Sequence, residues 1–171
     1  QSYSFSVSTD AERGVTEFIV LAPDHDGLFA EITGAMALCD VSVVEAQIMT
    51  LDNKMALDTF LIQDTLRQPV QSEKKIAKLK QTIEQAAQTD LEPMLAEKRK
   101  TAPKTELTVP LRVFVDNKAS DKCTLIEVNG TDAVGFLHLA TYAMTRLHLQ
   151  IVSAHIYTYG SRVVDVFYVT D

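Results

Sequence analysis

The chain has little cysteine: among 171 residues there are only Cys39 and Cys123, and neither belongs to a C-x-x-C pair or a group at metal-ligand spacing. A disulfide scaffold is thereby excluded, and two free thiols fit a reducing compartment, so the expected location is the cytoplasm. Positive charge is also short. Sixteen Lys and Arg stand against twenty-three Asp and Glu, a net charge of −7, so nucleic acid is not an expected partner. No run approaches the roughly 18 apolar residues of a membrane span, and no membrane partner is expected. The opening Gln1-Ser2-Tyr3-Ser4 lacks the basic start and apolar core of a signal peptide, and a start without Met reads as a piece of a longer polypeptide.

Catalytic signatures are missing as well. There is no G-x-S-x-G, no Walker loop and no Cys–His pair in a local signature. Asp24-His25-Asp26 resembles one edge of a metal centre, but His138, His148 and His155 form no H-x-x-x-H pair with one another or with His25. No metal site and no catalytic residue is expected, and the fragment itself is not expected to be an enzyme.

What the chain does contain is a repeat. Residues 18–64 align with 126–171, with Gly27 and Gly135 lying 108 positions apart and one residue deleted in a later turn. Leu28, Ile32, Ala35, Met36 and Cys39 form one helical stripe, which Phe136, Ala140, Ala143, Met144 and Leu147 repeat. Apolar strands at 15–22 and 124–128 precede the helices. Val44, Ala46, Ile48 and Thr50 alternate along a following strand, as do Val152, Ala154, Ile156 and Thr158, and turns at 51–54 and 159–162 return each chain as a hairpin. Ser72 is positioned to cap a helix with Ile76, Leu79 and Ile83 on one face and four lysines on the other; Pro93 starts a further helical segment.

Extra strands at 3–8 and 106–115 precede the units. The expected fold is therefore α+β, with two ferredoxin-like βαββαβ units permuted so that the edge strand of a four-stranded sheet comes first. The expected boundaries are 1–100 for the first unit with its trailing helix, 101–105 for a linker, and 106–171 for a second unit without its final helix.

The strand-to-helix segment 21–29, with its copy at 128–137, resembles the D-x-P-G-L signature of ACT domains, although Asp26 and Val134 stand where the proline is expected. The paired endings Asp58-Thr59-Phe60-Leu61-Ile62-Gln63-Asp64 and Asp165-Val166-Phe167-Tyr168-Val169-Thr170-Asp171 are similar to the C-terminal tandem ACT region of the bifunctional uridylyltransferase/uridylyl-removing enzyme family. That resemblance implies a glutamine-sensing module. In such a parent, Mg-dependent upstream catalytic domains of the same chain add UMP to the nitrogen signalling protein PII and remove it. It also implies ACT–ACT pairing, within one chain or between chains.

The candidate ligand site is the pair of loops, Asp24, His25, Asp26, Gly27 and Leu28 in one copy and Asp132, Ala133, Val134, Gly135 and Phe136 in the other. The glycines open helices whose free N–H groups suit a carboxylate. Asp24 and Asp132 could accept an ammonium group, or could simply cap the helices. The first loop, the more polar, is the favoured one. Asp58 and Asp165 recur inside strands, facing either water, or the other ACT sheet or a ligand's polar end, and Gln47 and His155 occupy equivalent strand positions that are otherwise exposed; together Gln47, His155, Asp58 and Asp165 are the candidates for an interdomain pocket. An amino-acid sensor, a purely structural pairing module and an independent enzyme all remain compatible with such a fold.

Overall fold

The computed structural model describes residues 2–103 and 108–171. The first unit comprises β1 (Ser4–Asp10), β2 (Val15–Pro23), α1 (Leu28–Leu38), β3 (Ser42–Thr50) and β4 (Met55–Gln63), followed by α2 (Glu73–Ala86) and α3 (Glu92–Thr101). The second comprises β5 (Arg112–Asp116), β6 (Thr124–Thr131), α4 (Phe136–Arg146), β7 (Gln150–Tyr159) and β8 (Arg162–Thr170). Each half fits loosely a ferredoxin-like unit with its leading strand at the outer edge. β1 pairs with β2 in the expected way, Phe5 opposite Val20 and Val7 opposite Phe18.

The two expected four-stranded sheets are continuous with each other. All strands join one antiparallel eight-stranded sheet in the order β1-β2-β4-β3-β7-β8-β6-β5. The halves merge where β3 meets β7: Ala46 lies opposite Ala154 on the buried face, Gln47 opposite Ser153 and Glu45 opposite His155. Ala46 and Ala154 are repeat equivalents. So are Thr33 of α1 and Thr141 of α4, whose hydroxyl oxygens approach to 3.4 Å. An approximate two-fold axis therefore runs through both layers of the molecule.

The core lies between the sheet and the helices. Phe18, Val20, Phe60 and Ile62 from the strands meet Ile32 and Met36 of α1, and Leu79 and Ile83 bring α2 onto the same surface. Burying each large aliphatic or aromatic side chain of this set stabilises the fold by roughly 1.5–3 kcal/mol. Ser72 caps α2 as expected, its hydroxyl accepting from the Lys75 N–H at 3.2 Å, and Pro93 lies in the first turn of α3.

Two strand expectations change. The even alternation along β3 and β7 is interrupted where the register shifts, between Val43 and Glu45 and again between Ile151 and Ser153, so Val44 and Val152 are the extra residues of matching bulges. The second edge strand, expected over 106–115, is observed only over Arg112–Asp116; 106 and 107 lie outside the described residues. Pro110 has no N–H to give to a ladder. Next to it Val109 is instead clasped by Thr131, whose hydroxyl accepts from the Val109 N–H at 2.8 Å and donates to its carbonyl at 3.2 Å. Of the expected linker, Thr101 is the last residue of α3, and 104 and 105 lie outside the described residues. Among the described residues no helix is long and apolar enough to cross a membrane.

The two-fold is broken at His138, the counterpart of Ala30. Its ring sits over Gly34, and its Nδ1–H donates to the Ala30 carbonyl at 2.6 Å. A Cβ on Gly34 would lie 2.9 Å from that nitrogen. Gly34→Ala should therefore lower stability by about 1 kcal/mol despite its better helix propensity, because overpacking outweighs that gain. In a His138→Ala background the same substitution should become neutral or stabilising. Urea unfolding of the four-member cycle checks this change of sign.

Candidate functional site

Both strand-to-helix loops end in a glycine whose backbone no other residue adopts easily: Gly27 has φ 89° and Gly135 φ 76°, each at the N-cap of its helix. No side chain caps either helix. Asp24 and Asp132 therefore do not serve as caps. Their backbone N–H groups instead donate across to the hairpin turns, Asp24 to the Lys54 carbonyl at 3.0 Å and Asp132 to the Ser161 carbonyl at 2.8 Å.

The first loop faces solvent at Asp24, His25 and Asp26, with Leu28 buried below it. His25 Nε2 lies 3.0 Å from both Glu31 carboxylate oxygens. Burial draws the His25 pKa down, but its bond to the Glu31 carboxylate and the charge there more than offset this, leaving the pKa above the ordinary value. Burial in turn holds the Glu31 carboxyl above its usual range despite His25.

The second loop is covered at its glycine end, Gly135 being buried, while Asp132 and Ala133 are exposed. Arg99 of α3 is held at 2.7 Å by Glu92 and donates from Nε to the Val134 carbonyl at 3.1 Å, and its guanidinium closes over Gly135. Ala133 is exposed, whereas Phe136 packs so closely on β6 that a Cβ at Gly130 would be 2.6 Å from its ring. Between this loop and the first unit lies a cavity of about 660 Å³, lined among others by Thr33, Asp64, Arg67, Lys98, Asp132 and Asp165.

Asp58 and Asp165 do not face water. They lie on the helix-facing side of the sheet at 1% and 0% exposure. Asp58 Oδ1 and both carboxylate oxygens of Asp165 make no hydrogen bond. Burial, reinforced by the charge of Asp24, pushes the Asp58 pKa up to about 7; burial and the charge of Asp132 do the same to Asp165, also to about 7. Asp132 is itself raised by burial, with Arg67 opposing. Each buried acid is thus coupled to the loop acid of its own unit, and Asp165 is one of the residues around the cavity, with its carboxyl buried in the wall.

Gln47 and His155 are placed differently. They alternate with the buried alanines of the seam, Gln47 exposed and His155 3.3 Å from Glu45, so neither lines the cavity. Arg67, Lys98 and Arg99 were not legible as site residues, since they follow the repeated segment and have no second copy to mark them. Among the described residues no three His, Cys, Asp or Glu side chains are grouped to hold a metal. The arrangement can supply acid groups, a nearby cation and the N-terminus of α4 to one small polar molecule.

No family model matches the chain. Curated relatives align with nearly all of it. A protein of Rhodospirillum rubrum is 44% identical over 170 residues, covering 96% of this chain and 18% of the relative. One of Gluconobacter oxydans is 47% identical over 165 residues, with 94% and 17% covered, and one of Azospirillum brasilense is 43% identical over 173 residues, with 97% and 18% covered. All three are named bifunctional uridylyltransferase/uridylyl-removing enzyme. The chain spans less than a fifth of their length.

The buried acids give a pH signature. Their folded pKa of about 7 lies above the unfolded value of about 3.9, so the folded chain holds protons that the unfolded chain has released. Stability is then greatest below the unfolded value and is lost as pH rises through 7. The urea midpoint should be lower at pH 8 than at pH 5. Asp165→Asn should remove part of that fall, on the order of 1 kcal/mol, and adding Asp58→Asn should remove more. An unchanged slope in both variants would contradict the assignment.

Proposed function

From the premise that this chain is a homologue of one region of the bifunctional uridylyltransferase/uridylyl-removing enzymes, we propose that it is a regulatory amino-acid-binding module of such an enzyme. In this reading the two units are ACT domains, the effector is glutamine, and the module lies at the C-terminus of a cytoplasmic parent. The parent's upstream catalytic domains, working with Mg²⁺, would act on PII. The observation that carries the reading is the Asp165 carboxyl, buried without a partner on the wall of a cavity that also holds Asp132 and Arg67.

An α-amino acid carries one ammonium and one carboxylate a few ångströms apart. Asp165 and Asp132 receive the ammonium by charge-assisted hydrogen bonds, which also satisfies the unpartnered acid. The carboxylate turns to the uncapped first turn of α4 and to Arg67. The cavity stands against the second loop rather than the more polar first one, so the site is proposed there; Asp24 and Asp58 would form its counterpart in the first unit. Cross-unit lining gives a route for regulation, because a ligand touching both halves favours one arrangement of them.

A second reading is a pairing module that needs no ligand, and the direct β3–β7 and α1–α4 contacts favour it. Calorimetric titration of the chain with glutamine, glutamate and other amino acids separates the two. Glutamine should bind, and Asp165→Asn or Asp132→Ala should weaken it about tenfold or more, a charge-assisted bond being worth roughly 1.5–3 kcal/mol. If only Asp24→Ala abolishes binding, the site belongs to the first loop; if no amino acid gives heat, the pairing reading stands. The isolated chain should turn over neither PII with UTP and Mg²⁺ nor uridylylated PII. Turnover above a buffer control would contradict its non-catalytic role.

A further inference from the structure

Asp165, in the wall of the interunit cavity, is a carboxyl with no group to support its charge. It stands on β8 between Val128 of β6 and Ile156 of β7, both apolar, and neither of its carboxylate oxygens has a hydrogen-bond partner. An ion in such a place costs far more than a neutral carboxyl, so the group takes up a proton instead. Burial, reinforced by Asp132, accordingly pushes its pKa up to about 7.

Among the described residues, the other ionisable groups around the cavity are Asp40, Asp64, Arg67, Lys98, Asp132 and His138. Four of them have partners of their own. Lys98 Nζ pairs with Asp40 at 2.8 Å. Asp64 Oδ1 accepts from the N–H groups of Leu66 and Gln68 at 2.9 and 3.0 Å, and His138 gives its Nδ1–H to the Ala30 carbonyl. Asp132 and Arg67 remain, and the charge of Arg67 opposes the rise in Asp132. Asp165 is therefore the acid of this cavity whose charge nothing offsets. Its counterpart Asp58 is not among the residues around the cavity.

We propose, on the reading of the cavity as an amino-acid site, that a ligand binding there drives a proton out of the Asp165 carboxyl, so that the module responds to effector and acidity together. The neutral carboxyl gives its proton to solvent, the ligand arrives already as an ammonium ion, and the product is a carboxylate–ammonium pair. Only the O–H bond of Asp165 is broken. The ligand thus selects the ionised form, and linkage fixes the sign: affinity is level above the pKa of the free carboxyl and falls as pH drops through it. Below about 7 the fall approaches about tenfold per pH unit. The module then needs more effector in a more acidic medium.

Titration calorimetry of the 171-residue chain with glutamine at pH 6, in phosphate, MES and imidazole buffers, counts the protons. The observed heat changes with the buffer's own ionisation heat in proportion to the protons exchanged. Release of about one proton is expected, and affinity at least about tenfold weaker at pH 5.5 than at pH 8. In Asp165→Asn the residual affinity should not change with pH and the release should vanish. Continued release in that variant would place the proton on another group, such as Asp132 or His138, and overturn the proposal. Binding by the parent without release or pH dependence would overturn it too, while leaving the amino-acid reading intact; no heat with any amino acid would remove both. The carbon-13 shift of the Asp165 carboxyl in the free chain decides the proton's location even where Asp165→Asn binds too weakly to titrate. It should move near neutral pH, and a carboxyl ionised throughout pH 5 to 8 would overturn the proposal whatever glutamine does.

Discussion

The contact between Ala46 and Ala154 is the constraint on which the rest of the molecule depends. Two twisted sheets can share a ladder only if the side chains at the junction leave room for the helices above. Alanine on that face does so, and the Thr33–Thr141 approach shows the helices drawn together over the same axis. Every one of these pairs joins residues 108 apart. The chain has thus built within itself the self-complementary interface that a symmetric dimer makes between subunits. This seam, rather than either unit alone, carries the second loop to the far end of the first unit and makes a cavity there.

The symmetry stops where the sequence between the repeats begins. α3 follows only the first unit, and its Leu95 is fully buried while its Glu92 and Arg99 brace the second loop from outside. Glu92 also lies 3.7 Å from His138 Nε2, so one short helix ties together the loop, α4 and its own unit. The first loop has no such brace, and Asp24, His25 and Asp26 remain in solvent. The two equivalent loops thus differ at their glycine end, buried beneath Arg99 in the second and only partly buried in the first.

A carboxyl left unpaired in the interior costs stability, and the usual response is to take up a proton. The fold carries this cost twice, at Asp58 and at Asp165, each beside the acid of its loop. An apolar residue at either place would pack without that penalty. Protonated acids of this kind would be ionised again by a positively charged group brought beside them.

The sequence by itself determined the local pieces. The helical stripes, the hairpins, the cap at Ser72, the leading strands paired with β2 and β6, and the two glycine-headed loops all follow from periodicity, turn chemistry and repetition, which act over a few residues. The family relationship was legible for the same reason, since the repeated endings survive as a linear pattern. Only the tertiary structure decided that the two sheets are one, that Asp58 and Asp165 face the interior, that Gln47 and His155 lie away from the cavity, and that Arg67 and Lys98 line it. These depend on which residue lies opposite which across 108 positions, and on a bulge at Val44 that moves the alternation. No local propensity records either. A side chain's environment is set by the partner that folding brings to it, and here that partner belongs to the other repeat.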